Sequence, residues 1–219
     1  MDDEPSDQTV RVDAKKKSLG ATERNEEERA TWRENASQLP TESLVFLDEC
    51  GSNIALTPLY ARAPKGERAR GSAPHNRGKN TTLIAALSLD GMGAALILEG
   101  SANATAFELY VEQVLAPTLQ AGQIVVMDNL QAHKGARVRL AIEAKRCQIL
   151  FLPGYSPDFS PIEEAFSKLK TALRRAGART REALQEAIGQ ALLTITSQDA
   201  ASAGSSIVAT TQRRKSARS

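Results

Sequence analysis

Two short apolar runs end in the same way: SLVFLD (43–48) and IVVMD (124–128) each close on an aspartate. Runs this short, rich in Val, Leu and Ile, suit buried strands better than helices. A carboxylate directly behind such a run is costly to bury unless it leaves the core at the strand end or meets a cation. Open α/β sheets place their ligand sites at the carboxyl ends of strands. Asp48 and Asp128 are therefore candidate site residues.

The rest of the chain supplies the other elements. TTLIAALSLDG (81–91) and GAALILEG (93–100) flank Gly91-Met92-Gly93 as a hairpin. Asn103–Leu119 has helical spacing, with Phe107, Tyr110, Val111, Val114 and Leu115 on one side. A helix over 135–145, a strand over 147–152 and a turn-rich loop, PGYSPDFSP (153–161), come next. Helices follow at about 161–176 and 180–195. Three strands, then helix, strand, helix, strand, helix, predict an α/β fold: a mixed β-sheet with helices packed on it. With 9 aromatic residues in 219, the core must be mostly aliphatic.

A third acid follows the turn-rich loop. Ser160-Pro161-Ile162-Glu163 fits a capping box, with Ser160 as N-cap and Glu163 at the third helical position. Helical geometry separates Glu163 from its neighbour Glu164. At about 100° per residue, Ile162, Phe166, Leu169 and Leu173 form one apolar stripe. Glu163 borders that stripe and Glu164 points away, so Glu163 is the candidate that faces the strand ends. Between Asp128 and Glu163 lie 34 residues, room for one helix, one strand and the loop.

Three carboxylates without a Cys/His cluster define a hard-ligand site suited to Mg²⁺ or Mn²⁺. Two such ions about 3.5–4 Å apart clamp the attacking and departing oxygens of an in-line phosphoryl displacement. The charge pattern agrees. Net charge is only +2, yet basic side chains cluster. One group is Arg62, Lys65, Arg68, Arg70, Arg77 and Lys79; another is Lys168, Lys170, Arg174 and Arg175, continued by Arg179 and Arg181. Clustered Lys and Arg on a near-neutral chain point to a polyanion such as double-stranded DNA. A solvated charged face is the plain alternative.

FLDE (46–49), VVMDNLQAHK (125–134) and LPGYSPDFSPIEEAFSKLK (152–170) resemble the three catalytic blocks of Asp-Asp-Glu transposases. The resemblance is to the bacterial insertion-sequence branch of the Tc/mariner superfamily, also called DDE superfamily endonucleases. It covers about residues 40–195, and KKKSL (15–19) resembles the linker before the catalytic domain. It implies a ribonuclease H-like fold in which Asp48, Asp128 and Glu163 bind two divalent metal ions. It implies a transposase that cleaves DNA with water and then joins the freed 3′-hydroxyl to target DNA. Two other activities compete: an idle, truncated fragment that regulates by binding DNA, and a structure-selective nuclease.

Minor features carry less. His133 would orient a metal-bound Asp128 or a phosphate, or simply open a helix; Asn129 would position the loop after Asp128, or serve turn chemistry alone. Ala73-(x)₄-Gly78-Lys79-Asn80 lacks the first Gly and the last Ser/Thr of a phosphate-binding loop, which excludes ATP binding on that motif. Cys50 and Cys147 read as buried free thiols and His75 as a solvated loop residue. No apolar run reaches the ~18 residues of a membrane span, and the acidic amino terminus lacks a secretory pattern. The expected setting is a bacterial cytoplasm, nucleoid-associated when DNA is bound, with the chain a homo-oligomer on transposon ends and target.

The expected organisation is a charged helical linker over 1–40, a catalytic domain over 41–196, and a low-complexity basic tail, disordered, over 197–219. Trp32 is the expected docking anchor of the linker. No trihelical pattern precedes Asp48, so a separately encoded helix-turn-helix half is the expected source of end recognition.

Overall fold

The computed structural model describes residues 21–201. Five strands form one sheet: β1 (Leu44–Ser52), β2 (Thr81–Ser88), β3 (Gly91–Glu99), β4 (Ile124–Met127) and β5 (Gln148–Phe151), in the order β3-β2-β1-β4-β5. The first three are antiparallel neighbours, whereas β1, β4 and β5 run parallel.

Side chains alternate across the strands and divide the core into two layers. Leu44, Phe46 and Cys50 of β1, with Leu83, Ala85 and Leu87 of β2, pack under α1 (Glu26–Ala36), α4 (Ile162–Ala176) and α5 (Arg181–Leu192). Val45, Leu47, Ile84 and Ala86 face the opposite layer, built from α2 (Ala104–Tyr110), its continuation and α3 (Ala136–Glu143). Burial of each Leu, Val, Ile or Phe among these stabilises by about 1.5–3 kcal/mol. The stripe on α4 is as expected: Ile162, Phe166, Leu169 and Leu173 are all buried. Gly177 ends the helix in the left-handed region at φ 59°, where a Cβ would be strained.

Four expectations need correction. β1 does not stop at Asp48 but runs on to Ser52, because β2 still pairs with it there. The hairpin turns at Leu89-Asp90, two residues earlier than expected, since Ser88 pairs with Gly91. Gly91 sits at φ 109°, and a Cβ there would lie 3.1 Å from the Ile195 carbonyl oxygen. The helix expected over 103–119 is α-helical only to Tyr110; it widens to a π-turn over Val111–Leu115 and tightens to a 3₁₀ turn over Ala116–Thr118. Pro117, which has no N–H to donate, lies in that last turn. Finally, Ser160 does not cap α4; Pro161 precedes its first residue, and only the Ser160 carbonyl engages Glu163 N–H, at 3.2 Å.

Both expected domain boundaries cut through packed structure. Residues 197–201 are helical, Ala200 is buried, and Asp199 binds Lys168 Nζ at 2.7 Å and accepts from Thr196 N–H at 2.8 Å. The remainder of the expected tail, and KKKSL (15–19), lie outside the described residues. At the other end, α1 belongs to the core. Trp32 is the anchor expected of it: its ring stacks on Phe159 at 5.0 Å, and its indole N–H donates to the Phe151 carbonyl at 3.0 Å.

The second anchor of α1 is a charged residue. Arg29, 1% exposed, donates to Asp158 at 2.7 and 3.1 Å and to Ser156 Oγ at 2.5 Å, with its guanidinium 4.1 Å above the Phe159 ring. Burial opposes charge on Asp158, but Arg29 and Arg24 outweigh it and hold the carboxyl below its ordinary range. A buried guanidinium with a fork-to-carboxylate partner is destabilising to break, because the carboxylate and Ser156 lose buried, charge-assisted bonds. Arg29→Ala is expected to cost about 3 kcal/mol, the lower end of the buried-pair range, because Asp158 is half exposed and keeps Arg24. Arg29→Lys is expected to recover only part of this, since it keeps the charge without the fork. Thermal unfolding of the two variants checks both values; a loss below 1 kcal/mol for Arg29→Ala would contradict the lock.

Candidate active site

The parallel pairing of β1 with β4 ends at Leu47 and Met127, so the next residue on each chain is an aspartate. Asp48, still within β1, and Asp128, just beyond β4, thus stand side by side at one level of the sheet. On β1, Asp48 shares the face of Phe46 and Cys50, which is the face covered by α4. Glu163 stands in the first turn of α4. All three line a single open cleft of about 420 Å³, closed on one side by the loop 152–157. Asn129 lines it too, whereas Glu164 does not.

The electrostatics follow from this crowding. Burial, above all, raises the Asp48 carboxyl to about 7; the Glu49 N–H, donating at 2.7 Å, opposes this, and the charges of Glu163 and Asp128 reinforce it. Repulsion among the acids is thus the lesser cause. Asp128 accepts from Leu130 N–H at 3.3 Å and contacts His133 Nδ1. His133 is buried, stacked on Phe107 with centroids 4.0 Å apart, and its Nε2 lies 3.5 Å from Glu49. Burial disfavours its charge, but Asp128 and Glu49 outweigh that and raise its pKa to about 9. Its charged form is thus favoured by the two carboxylates on either side of the ring.

Glu49 was missed in the sequence, although its position shows the signal. It follows Asp48 on β1 and so points to the opposite face, where Phe107 and His133 lie.

The basic candidates are not gathered at the cleft. Arg62, Lys65, Arg68, Arg70 and Arg77 are exposed on the loop between β1 and β2, which forms neither helix nor strand. Lys79 and Arg181 pair with Glu99, and Lys168 is engaged by Asp199. Arg179 donates to the carbonyls of Ile54 and Leu56 at 3.0 and 2.9 Å, which ties the start of that loop to the end of α4. Lys170 lies two turns beyond Glu163, near the buried Cys50 thiol, whose ionisation its charge favours against burial. Arg174 is half-buried and Arg175 exposed. None of these lines the acid cleft. Cys50 and Cys147 are buried free thiols, as expected.

Over residues 43–185 the chain matches the model of the DDE superfamily endonucleases. It belongs to that family. The solved structures agree in fold. It resembles the Mos1 strand transfer complex at TM-score 0.68 and 18% identity, over 90% of this chain and 63% of that one. The mariner Mos1 paired end complex with Mg gives 0.69 and 16%, over 91% and 66%. The catalytic domain of Mos1 mariner transposase gives 0.60 and 16%, over 88% and 97%. The sheet and its helical layers are therefore the ribonuclease H-like fold expected. This chain spans about 63% of the first of those Mos1 chains. No curated protein sequence matches it.

As a DDE endonuclease site the cleft has the right donor chemistry: three carboxylates, hard oxygen donors for Mg²⁺ or Mn²⁺. Among the described residues, no three or more His, Cys, Asp and Glu side chains are close enough to hold an ion. The acids share a cleft rather than one coordination sphere. Like charges repel at short range, and Asp48 and Asp128 are each drawn aside by their own partners, Glu49 N–H and His133.

The sign of the pH dependence follows from Asp48. A carboxyl raised from 3.8 to about 7 by the fold favours the folded state fully below pH 4 and loses that advantage as pH rises through 7. Without divalent ions, Asp48→Asn is expected to gain melting temperature relative to wild type between pH 4 and 7. Mn²⁺ should stabilise wild type at pH 7 and leave Asp128→Asn nearly unchanged. Calorimetry over that pH range checks both, and equal Mn²⁺ responses would contradict metal binding at the cleft.

Proposed function

We propose that this chain is the catalytic part of a Tc/mariner-type transposase, which cleaves DNA strands and transfers the freed 3′-hydroxyl to target DNA. The observation that carries this reading is the convergence of Asp48, Asp128 and Glu163 on one cleft of a DDE endonuclease fold. These three side chains would hold two Mg²⁺ or Mn²⁺ ions, which supply activation of the attacking oxygen and neutralisation of the leaving one.

The remaining roles fall to the chain's own residues. His133, charged and packed on Phe107, holds Asp128 in one orientation while Glu49 holds the other ring nitrogen. Asn129 shapes the cleft floor beside Asp128. Asp48, desolvated and poised to ionise near neutrality, gains most from a cation. Arg62, Lys65, Arg68, Arg70 and Arg77 on the long loop, with Lys79, grip phosphates away from the acids. Lys168, Lys170, Arg174 and Arg175 along α4 do the same from the other side.

The partners in this reading are duplex DNA at transposon ends and target, a second copy of the chain on that DNA, and a helix-turn-helix half that reads sequence. The structural relatives include Mos1 complexes described as paired-end and strand-transfer assemblies, which supports the DNA and oligomer parts. No helix among the described residues is long and apolar enough to cross a membrane. A bacterial cytoplasm, with nucleoid association on DNA, completes the reading. No observation favours the idle-regulator or structure-selective nuclease alternatives.

A strand-transfer assay with a pre-cut 3′-hydroxyl duplex and Mn²⁺ tests it. Glu163→Gln is expected to lose product by about 10²-fold or more, the scale for removing one preorganised electrostatic partner. Glu164→Gln should stay within about twofold, since it points away from the cleft. The reverse order would move the third acid to Glu164; no product from wild type would remove the reading altogether.

A further inference from the structure

Tyr155 occupies backbone that a bulky aromatic residue seldom adopts. Its φ is 55°, in the left-handed region, where Gly, Asn or Asp is usual. The loop around it is tied down: Ser156 Oγ donates to the Gly154 carbonyl at 3.0 Å and in turn accepts from buried Arg29. That anchorage maintains the strained conformation, and its effect is to turn the Tyr155 side chain outward, 61% exposed. Among the described residues its hydroxyl makes no hydrogen bond, so nothing within the fold accounts for an aromatic ring at this position.

What surrounds the ring does account for it. Tyr155 lines the same cleft as Asp48, Asp128 and Glu163. Leu130, 57% exposed, lines it from the loop after the neighbouring strand β4. Carboxylates repel a phosphate backbone, so close to them an uncharged face is the contact a nucleic acid can best use. An aromatic ring offers that to any base, because every base has a π-face. Strain retained at a functional cleft is the expected pattern when the displayed side chain serves the ligand.

We propose that Tyr155 is a stacking platform for an unpaired nucleobase next to the scissile phosphate, with Leu130 as a second apolar wall. This rests on the reading of the chain as a DNA strand transferase and adds how its cleft holds the strand. Stacking requires the base to be out of the duplex, so the ligand is a frayed or single-stranded flank and not a paired one.

The test uses the full 219-residue chain, fluorescence anisotropy, and Ca²⁺ to neutralise the acids. Two duplexes are compared, one with an unpaired 3′ tail and one whose tail is abasic, so that both carry the same phosphates. Wild type and Tyr155→Phe are expected to prefer the base-bearing tail by about 5-fold or more, the range for one stacked base. Tyr155→Gly should bind both tails equally while its melting temperature stays within about 4 °C of wild type, because glycine takes this φ without strain. Tyr155→Leu, apolar but lacking the π-face, should also lose the preference. The preference surviving in Tyr155→Gly, or absent from wild type that still cleaves DNA, would overturn the stacking role alone. Wild type that neither binds nor cleaves DNA would overturn it together with the transposase reading.

Discussion

Carboxylates on neighbouring strands repel, and the backbone ladder between β1 and β4 is what holds two of them side by side. Its last pair, Leu47 with Met127, leaves Asp48 and Asp128 at the same level with no freedom to slide apart. Ile124 and Val126 of β4 pack in one layer and Val125 and Met127 in the other, and the ladders to β1 and β5 on either side hold that register. The consequences are local and measurable in kind: Asp48 is poised to ionise near pH 7, and His133 is charged between Asp128 and Glu49. The fold thus maintains an arrangement that is unfavourable on its own and becomes favourable when a cation enters.

The third acid depends on a different constraint. Glu163 follows a loop that has little secondary structure of its own, apart from one 3₁₀ turn at Pro157–Phe159. What fixes that loop comes from more than a hundred residues upstream. Arg29 grips Ser156 and Asp158, and Trp32 with Phe159 forms the stacked apolar base beneath. α1 thus holds the loop that leads into α4, and it is part of the site's support rather than a passive tether.

The elements with strong periodicity were legible in the sequence. The apolar runs of β1 and β4, the apolar stripe of α4 and the anchoring by Trp32 all follow from patterns that tertiary packing later reuses. What was not legible has common physical causes. Arg29 reads as one charge among many on a charged helix, since its partner is 129 residues away and no local pattern marks it. Glu49 was hidden beside the more conspicuous Asp48, although strand alternation sends the two to opposite faces. The extension of β1 past Asp48 depends on pairing with β2, which a run of apolar residues cannot reveal. Ser160 had the chemistry of a cap, but the chain turns so that its carbonyl, not its hydroxyl, meets Glu163. The basic residues were read as two groups facing a polyanion, whereas several are engaged by acids or carbonyls elsewhere in the fold.

Asp48, Asp128 and Glu163 meet at one cleft, where they would hold divalent ions in common. Anomalous diffraction from crystals grown with Mn²⁺ tests it most directly, because it locates the ions without reference to activity. The expected result is manganese density between the three carboxylates, with Asp48 and Glu163 drawn inward from their positions without metal and the contact of Asp128 with His133 retained. Manganese bound elsewhere, with none at this cleft, would contradict the account.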